Sequence, residues 1–298
     1  MEMREFAVKV RNAVRKELGA EYRVEIKEIR KNNGVVLQGL LILTPGQSVT
    51  PTIYLNTFLD IYESGVSFAE VIRKLIAIYR KDTPKTEVDM NFFRSFGRVK
   101  DRICYRLVGT RGNEDLLSKV PHIEFLDLAL CFYYAYQSEA LGEGTILIHD
   151  SHVEMWETST AELLGLAKEN TPRLFPWTCC SLNDVLQEMT EEGAYPREGI
   201  ARNVPMSVLS NQKKLHGAVC MIYPGVLEEL ALRMKGNFFI LPSSVHEMIL
   251  LADTGIGETE NLKKMVMEIN STQVAPEEIL SDSLYYYDSA ERKVKIIF

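Results

Sequence analysis

At 298 residues the chain is long enough for one large domain or two of ordinary size, and buried surface scales with length so that a substantial core follows. Hydrophobic residues at 46% and charged residues at 25% are ordinary values for a globular protein and exclude a disordered or fibrous chain. A formal charge of −7 argues against general nucleic-acid binding, which needs a net positive face, and leaves room only for a local basic patch.

The first residues, MEMREFAVKVRNAVRKELG, mix charges through their apolar positions and lack the apolar core of a secretory signal. No stretch approaches the roughly 20 apolar residues that cross a bilayer, so no membrane is expected. The cysteines, Cys104, Cys131, Cys179, Cys180 and Cys220, are odd in number and show no CxxC spacing. They read as reduced thiols in a cytoplasmic protein, with no metal and no cofactor expected.

Along the chain, Phe6, Val10, Val14 and Leu18 recur every four residues and predict an amphipathic helix that Gly19 stops. Tyr22, Val24 and Ile26 then alternate with charged residues, and Asn33-Gly34 supplies a hairpin turn before a second strand over 35–43. After a loop at Pro45-Gly46, residues 52–55 read as a strand, and Asn56 caps a short helix. Ser67 and Glu70 have capping-box spacing ahead of an apolar face from Phe68 to Tyr79. The segment 81–87, with Pro84, is the first module boundary.

Residues 90–107 predict a helix carrying Phe92, Phe93, Phe96, Val99 and Ile103, with Arg94, Arg98, Arg102 and Arg106 at intervals of four. Residues 123–136 read as a buried strand, 140–144 as a turn and 145–148 as another strand. Asp150 or Ser151 caps the next helix, and Ser159 with Glu162 opens a further one that ends near Asn170 and Pro172. Residues 171–205 are the least regular part, interrupted by a helix over 182–189. Beyond them come strands over 206–209 and 218–222, a helix over 226–234, a strand over 238–241, an ambiguous element over 248–251, a helix over 258–269 and a closing hairpin of 284–287 with 294–298.

The expected fold is α+β, with mixed sheets and flanking helices. A small N-terminal α/β module, 1–86, precedes a central α/β unit, 87–200, and a C-terminal α/β unit, 201–298.

Three constellations carry candidate chemistry. Ser243 or Ser244, His246 and Asp253 supply the hydroxyl, base and acid of a nucleophilic site, although capping explains the serines better and no G-x-S-x-G elbow exists. His149, Asp150 and His152 are candidate metal ligands, again set against a helix cap, and no familiar zinc signature follows. The arginine row is a candidate site for an anion or an acidic partner, set against a solvated face. His122 and His216 lie beside strands without a local partner.

The order of NFFRSFGRVKDRICYRLVG, LLSKVPHIEFLDLALCFYY, MSVLSNQKKLHGAVCMIYPGVLEELA, FFILPSSVHEMIL and LSDSLYYYD resembles an uncharacterised bacterial family, domain of unknown function 5688, over nearly the whole chain. More distantly, the small N-terminal unit followed by IHDSHVEMWETSTAELLGLAKEN is similar to the YtpQ-like uncharacterised proteins. The resemblance implies an intracellular bacterial protein and brings no catalytic residues. The functional expectation is a non-catalytic cytosolic protein that binds a protein partner or an anionic ligand. The alternative is a hydrolase using a histidine, hydroxyl and carboxylate site near His246 or His149.

Overall fold

The four-residue spacing of Phe6, Val10 and Val14 puts all three on one face of helix α1, Met3–Leu18, where each is fully buried. The structure, a computed structural model, describes residues 1–44, 49–84, 91–138, 142–182, 206–255 and 259–297. The expected loop at Pro45-Gly46, the end of the 81–87 boundary and most of the 182–189 helix lie outside these residues. Two units make up the chain, Met1–Ser95 with Tyr136–Gly144, and Phe96–Ala135 with Thr145–Phe298.

In the first unit, β1 (Arg23–Arg30), β2 (Val36–Leu43) and β3 (Thr52–Tyr54) form an antiparallel sheet, followed by α2 (Leu55–Glu63) and α3 (Phe68–Asp82). Asn33 and Gly34 both take positive φ, 60° and 67°, within a connection longer than two residues, Asn32–Gly34, closed by the Lys31 N–H donating to the Val35 carbonyl at 2.7 Å. Ser67 Oγ accepts the Glu70 N–H at 3.3 Å, the expected cap of α3. Asn56 does not cap α2; its Oδ1 instead accepts the Gln38 N–H of β2 at 3.0 Å. Leu40, Ile42, Leu55, Val71 and Leu75 close one core with the α1 face.

The single helix expected over 90–107 does not form. Short turns at Asn91–Arg94 and Lys100–Arg102 flank α4 (Phe96–Val99), and the chain then enters strand β4, Ile103–Gly109. Every β4 residue pairs across to a neighbouring strand, from Ile103 opposite Tyr134 to Gly109 opposite Leu128, and every one except Arg106 is buried. Burial on both faces and a continuous ladder override the helical spacing of the flanking aromatics. After α5 (Glu114–Leu117), the strand expected over 123–136 is a hairpin, β5 (His122–Phe125) and β6 (Leu128–Ser138), turning at Leu126 with φ 58°. β6 lies between β4 and β5, and β7 (Gly142–Leu147) also pairs with it.

His149 precedes α6 (Asp150–Met155), and Ser159 caps α7 (Thr160–Leu174) by accepting the Glu162 N–H at 3.2 Å. Helix α7 runs two residues past Pro172, to Leu174. Asn170 Nδ2 donates to the carbonyls of Lys100 and Ile103, and Thr171 Oγ1 accepts the Tyr105 N–H, so the last turn is tied to β4 and its approach.

The C-terminal sheet is antiparallel, built from β8 (Trp177–Ser181), β9 (Met206–Asn211), β10 (Phe238–Ser244), β11 (Glu247–Ala252), β12 (Tyr285–Asp288) and β13 (Lys293–Ile296) in the order β13-β12-β10-β11-β9-β8. The strand expected over 218–222 is a tight helical segment, Gly217–Ile222, leading to α8 (Val226–Met234). Ser243-Ser244 does not cap a helix: β10 runs through Ser244, turns at Val245-His246 and returns as β11, whose Met248 and Leu250 are fully buried. Helix α9 (Thr259–Thr272) packs Leu262 and Val266 against Phe239, Leu241 and Leu284. The fold class is α+β.

Candidate functional site

Arg94 and Arg98 are exposed on separate short turns, Arg102 Nε donates to the Ala135 carbonyl at 2.6 Å, and Arg106 sits in β4. The four therefore do not share a helix face, because the helix that would align them is absent. Ser243, Ser244 and His246 do lie together at the β10–β11 turn. Asp253 lies beyond the far end of β11, about 20 Å of strand away, where it accepts the Tyr286 hydroxyl at 2.7 Å.

At the α6 cap, His152 Nδ1 accepts the His149 N–H at 3.0 Å, and the His152 ring stacks on Trp156 with centroids 5.7 Å apart. Burial, with His149 beside it, lowers the His152 pKa. One ring nitrogen of His152 is thus committed to the backbone. Among the described residues, no group of three or more His, Cys, Asp or Glu side chains is placed to hold a metal ion.

A different cluster forms where the two sheets of the second unit supply residues to one place. Strand alternation puts Cys104, Arg106 and Val108 on one face of β4, with Cys131 opposite Arg106 in register. Cys104 and Tyr133 belong to one apolar cluster, and Val108, Ala129 and Cys131 to another, so the guanidinium stands between two apolar patches. Its Nε is buried and has no hydrogen-bond partner among the described residues. Burial lowers the Arg106 pKa, although a guanidinium stays charged in any accessible range.

His216 meets this face edge-on, its ring 5.4 Å from that of Tyr133. It carries φ 53°, an uncommon conformation for a non-glycine residue, and its Nδ1 is also buried without a partner among the described residues. Burial first, then the charge of Arg106, then His246, push the His216 pKa down to about 3. The imidazole is therefore neutral at physiological pH.

His246 stacks on His216 with centroids 5.7 Å apart and planes 10° from parallel. Its Nδ1 accepts the His216 N–H at 3.2 Å, which fixes the proton on Nε2, and Nε2 faces Glu278 Oε1 at 3.6 Å. The nearby hydroxyls engage its backbone: Ser244 Oγ accepts the His246 N–H at 3.0 Å, and Ser210 Oγ donates to the His246 carbonyl at 2.7 Å. Ser243 Oγ lies 3.5 Å from Glu247 Oε1.

The loop that delivers His216 is organised by buried Asn211. Its Oδ1 accepts from the N–H groups of Lys213 and Leu215, and its Nδ2 donates to the Leu215 carbonyl at 2.7 Å. Gly217 then passes so close to Ser210 Oγ, the His246 carbonyl and Asn211 N that an added Cβ would lie under 3.0 Å from each. A glycine is required there by space.

Arg106 and His246 are visible in the sequence as candidates of separate sites, and His216 as a histidine without a partner. Their convergence depends on the packing of β4 against the Gly217–Ile222 segment, more than a hundred residues further along the chain, which no local spacing encodes.

The arrangement defines a class: an α+β protein of antiparallel sheets with a partly buried arginine–imidazole cluster. The chain belongs to a family described as Family of unknown function (DUF5688), whose model matches residues 3–289. No curated protein and no solved structure matches it.

Proposed function

We propose that the protein is a non-catalytic, cytosolic binding protein and that Arg106 and His216 receive an oxygen of a small anionic ligand, a carboxylate or a phosphate. The observation that carries this reading is the pair of buried nitrogens, Arg106 Nε and His216 Nδ1, without hydrogen-bond partners among the described residues. Leaving such groups unsatisfied costs about 1–3 kcal/mol each, more for the charged one, and an oxyanion accepts from both. Both residues are half-buried as whole residues, although the two nitrogens themselves are buried. Apolar surroundings strengthen the attraction to an anion.

The histidine geometry favours binding over hydrolysis. A general base needs a free nitrogen against a hydroxyl, whereas His246 Nδ1 is taken by a backbone amide and the hydroxyls of Ser210 and Ser244 by the His246 backbone. The cytosolic location is supported by five free cysteines. No helix among the described residues is long and apolar enough to cross a membrane.

Calorimetric titration of the full chain with inorganic phosphate, sulfate and malonate tests the reading. Saturable binding by at least one of them, abolished in Arg106→Gln, is expected. Absence of binding by all of them, or binding unchanged in the variant, overturns it.

A further inference from the structure

Helices α1 and α3 of the first unit border a cleft of about 540 Å³ lined by Ala13, Lys16, Phe68, Ile72, Arg73 and Arg80, with Ala69, Ile76, Ala77 and Glu17 completing it. Phe68, Ile72, Ile76 and Arg80 follow one another at four-residue steps along one side of the helix. Ile72 and Ile76 are only 7% and 5% exposed and so are more deeply set than the exposed Ala69, Arg73, Ala77 and Arg80 of the same lining. A second hollow beside it is lined by Asn12, Arg15, Lys16, Gly19 and Ala20.

The rim carries a charge that the rest of the chain does not share. Lys16, Arg73 and Arg80 of the cleft and Arg15 of the neighbouring hollow are exposed, and among the described residues none has a carboxylate within ion-pair distance. Glu17 is the acidic member of the lining. Residues 1–95 hold 15 Lys and Arg against 12 Asp and Glu, in a protein whose formal charge is −7.

We infer that this cleft docks an acidic amphipathic helix of a protein partner. The segment of α3 that lines the cleft, from Phe68 to Arg80, spans about 18 Å, the length of roughly three helical turns. Apolar side chains at i, i+3, i+4 and i+7 of the incoming helix reach Ile72 and Ile76, and its glutamates meet Lys16, Arg73 and Arg80. A bilayer surface fits less well, because Ile72 and Ile76 are set deeper than the exposed residues of the same lining, where a flat interface does not reach.

The test uses a fluorescein-labelled peptide of about 14 residues, leucine at those four anchor positions and glutamate and alanine elsewhere, with a scrambled peptide of the same composition. Anisotropy against the full chain is expected to show saturable binding of the patterned peptide alone. Arg73→Glu with Arg80→Glu, both exposed positions, should weaken it roughly tenfold or more while circular dichroism and the unfolding midpoint stay unchanged. Equal binding of the scrambled peptide, no saturable binding of the patterned one, or insensitivity to the charge reversal overturns the inference. So does binding to phosphatidylglycerol vesicles with none to the peptide, which would assign the cleft to a membrane surface.

Discussion

The backbone N–H of His216 donates to Nδ1 of His246 at 3.2 Å while the two rings lie stacked, 10° from parallel. One bond thereby sets two properties of the cluster. It holds the tautomer of His246 with its proton toward Glu278, and it anchors the strained turn that carries His216 against Tyr133 and the Arg106 face.

The His216 pKa gives a pH dependence with a definite sign. Its folded value, about 3, lies below the ordinary histidine value of 6.5, so between these the unfolded chain binds more protons and stability rises with pH. The contribution is fully present above the unfolded pKa and is lost as pH falls toward the folded one. Each pH unit in that window is worth at most about 1.4 kcal/mol, and less for a side chain that partly reaches solvent. Burial of His152 acts in the same direction. Urea unfolding from about pH 7 to pH 4 should show this loss, and His216→Asn, which tolerates the positive φ, should flatten it.

Gly217→Ala places a methyl group under 3.0 Å from the backbone of His246 and Asn211. Overpacking of this kind costs about 1–3 kcal/mol, and here it also displaces the Ser210 hydroxyl from the His246 carbonyl. A lowered urea midpoint with an unchanged slope is the expected result.

The carboxylate of Asp127, at the β5–β6 turn, accepts the hydroxyls of Ser281 at 2.5 Å, Ser283 at 2.8 Å and Tyr285 at 2.6 Å. Tyr285 is fully buried, and burial, with the hydrogen bond to Asp127, raises its pKa. Asp127→Ala leaves those hydroxyls without their acceptor and should cost about 2–4 kcal/mol. Thermal unfolding of the variant checks it.

Where a single face is buried, the period of the sequence is enough. The α1 and α3 faces, the Asn33-Gly34 turn, the Ser67 and Ser159 caps and the closing hairpin all follow from local spacing. The 90–107 segment misleads because its aromatics step at helical intervals and its arginines at four, whereas the run Ile-Cys-Tyr-Arg-Leu-Val closed by Gly109 carries the strand signal. Ser244 and Glu247 match a capping box by spacing alone, and burial of alternate residues in β11 outweighs it. Asn211 and Gly217 give no sign of their roles, since both act through contacts with a turn some thirty residues away or with their own loop.

The most direct measurement is made on Arg106→Met, comparing unfolding free energy and binding of whichever anion the wild-type chain takes up. A cation held between apolar clusters, its Nε without a hydrogen-bond partner among the described residues, is costly, so an apolar replacement of similar length should raise stability by about 1–4 kcal/mol while abolishing anion binding. A variant that is less stable and still binds the anion would contradict the assignment of Arg106 as the ligand's receptor.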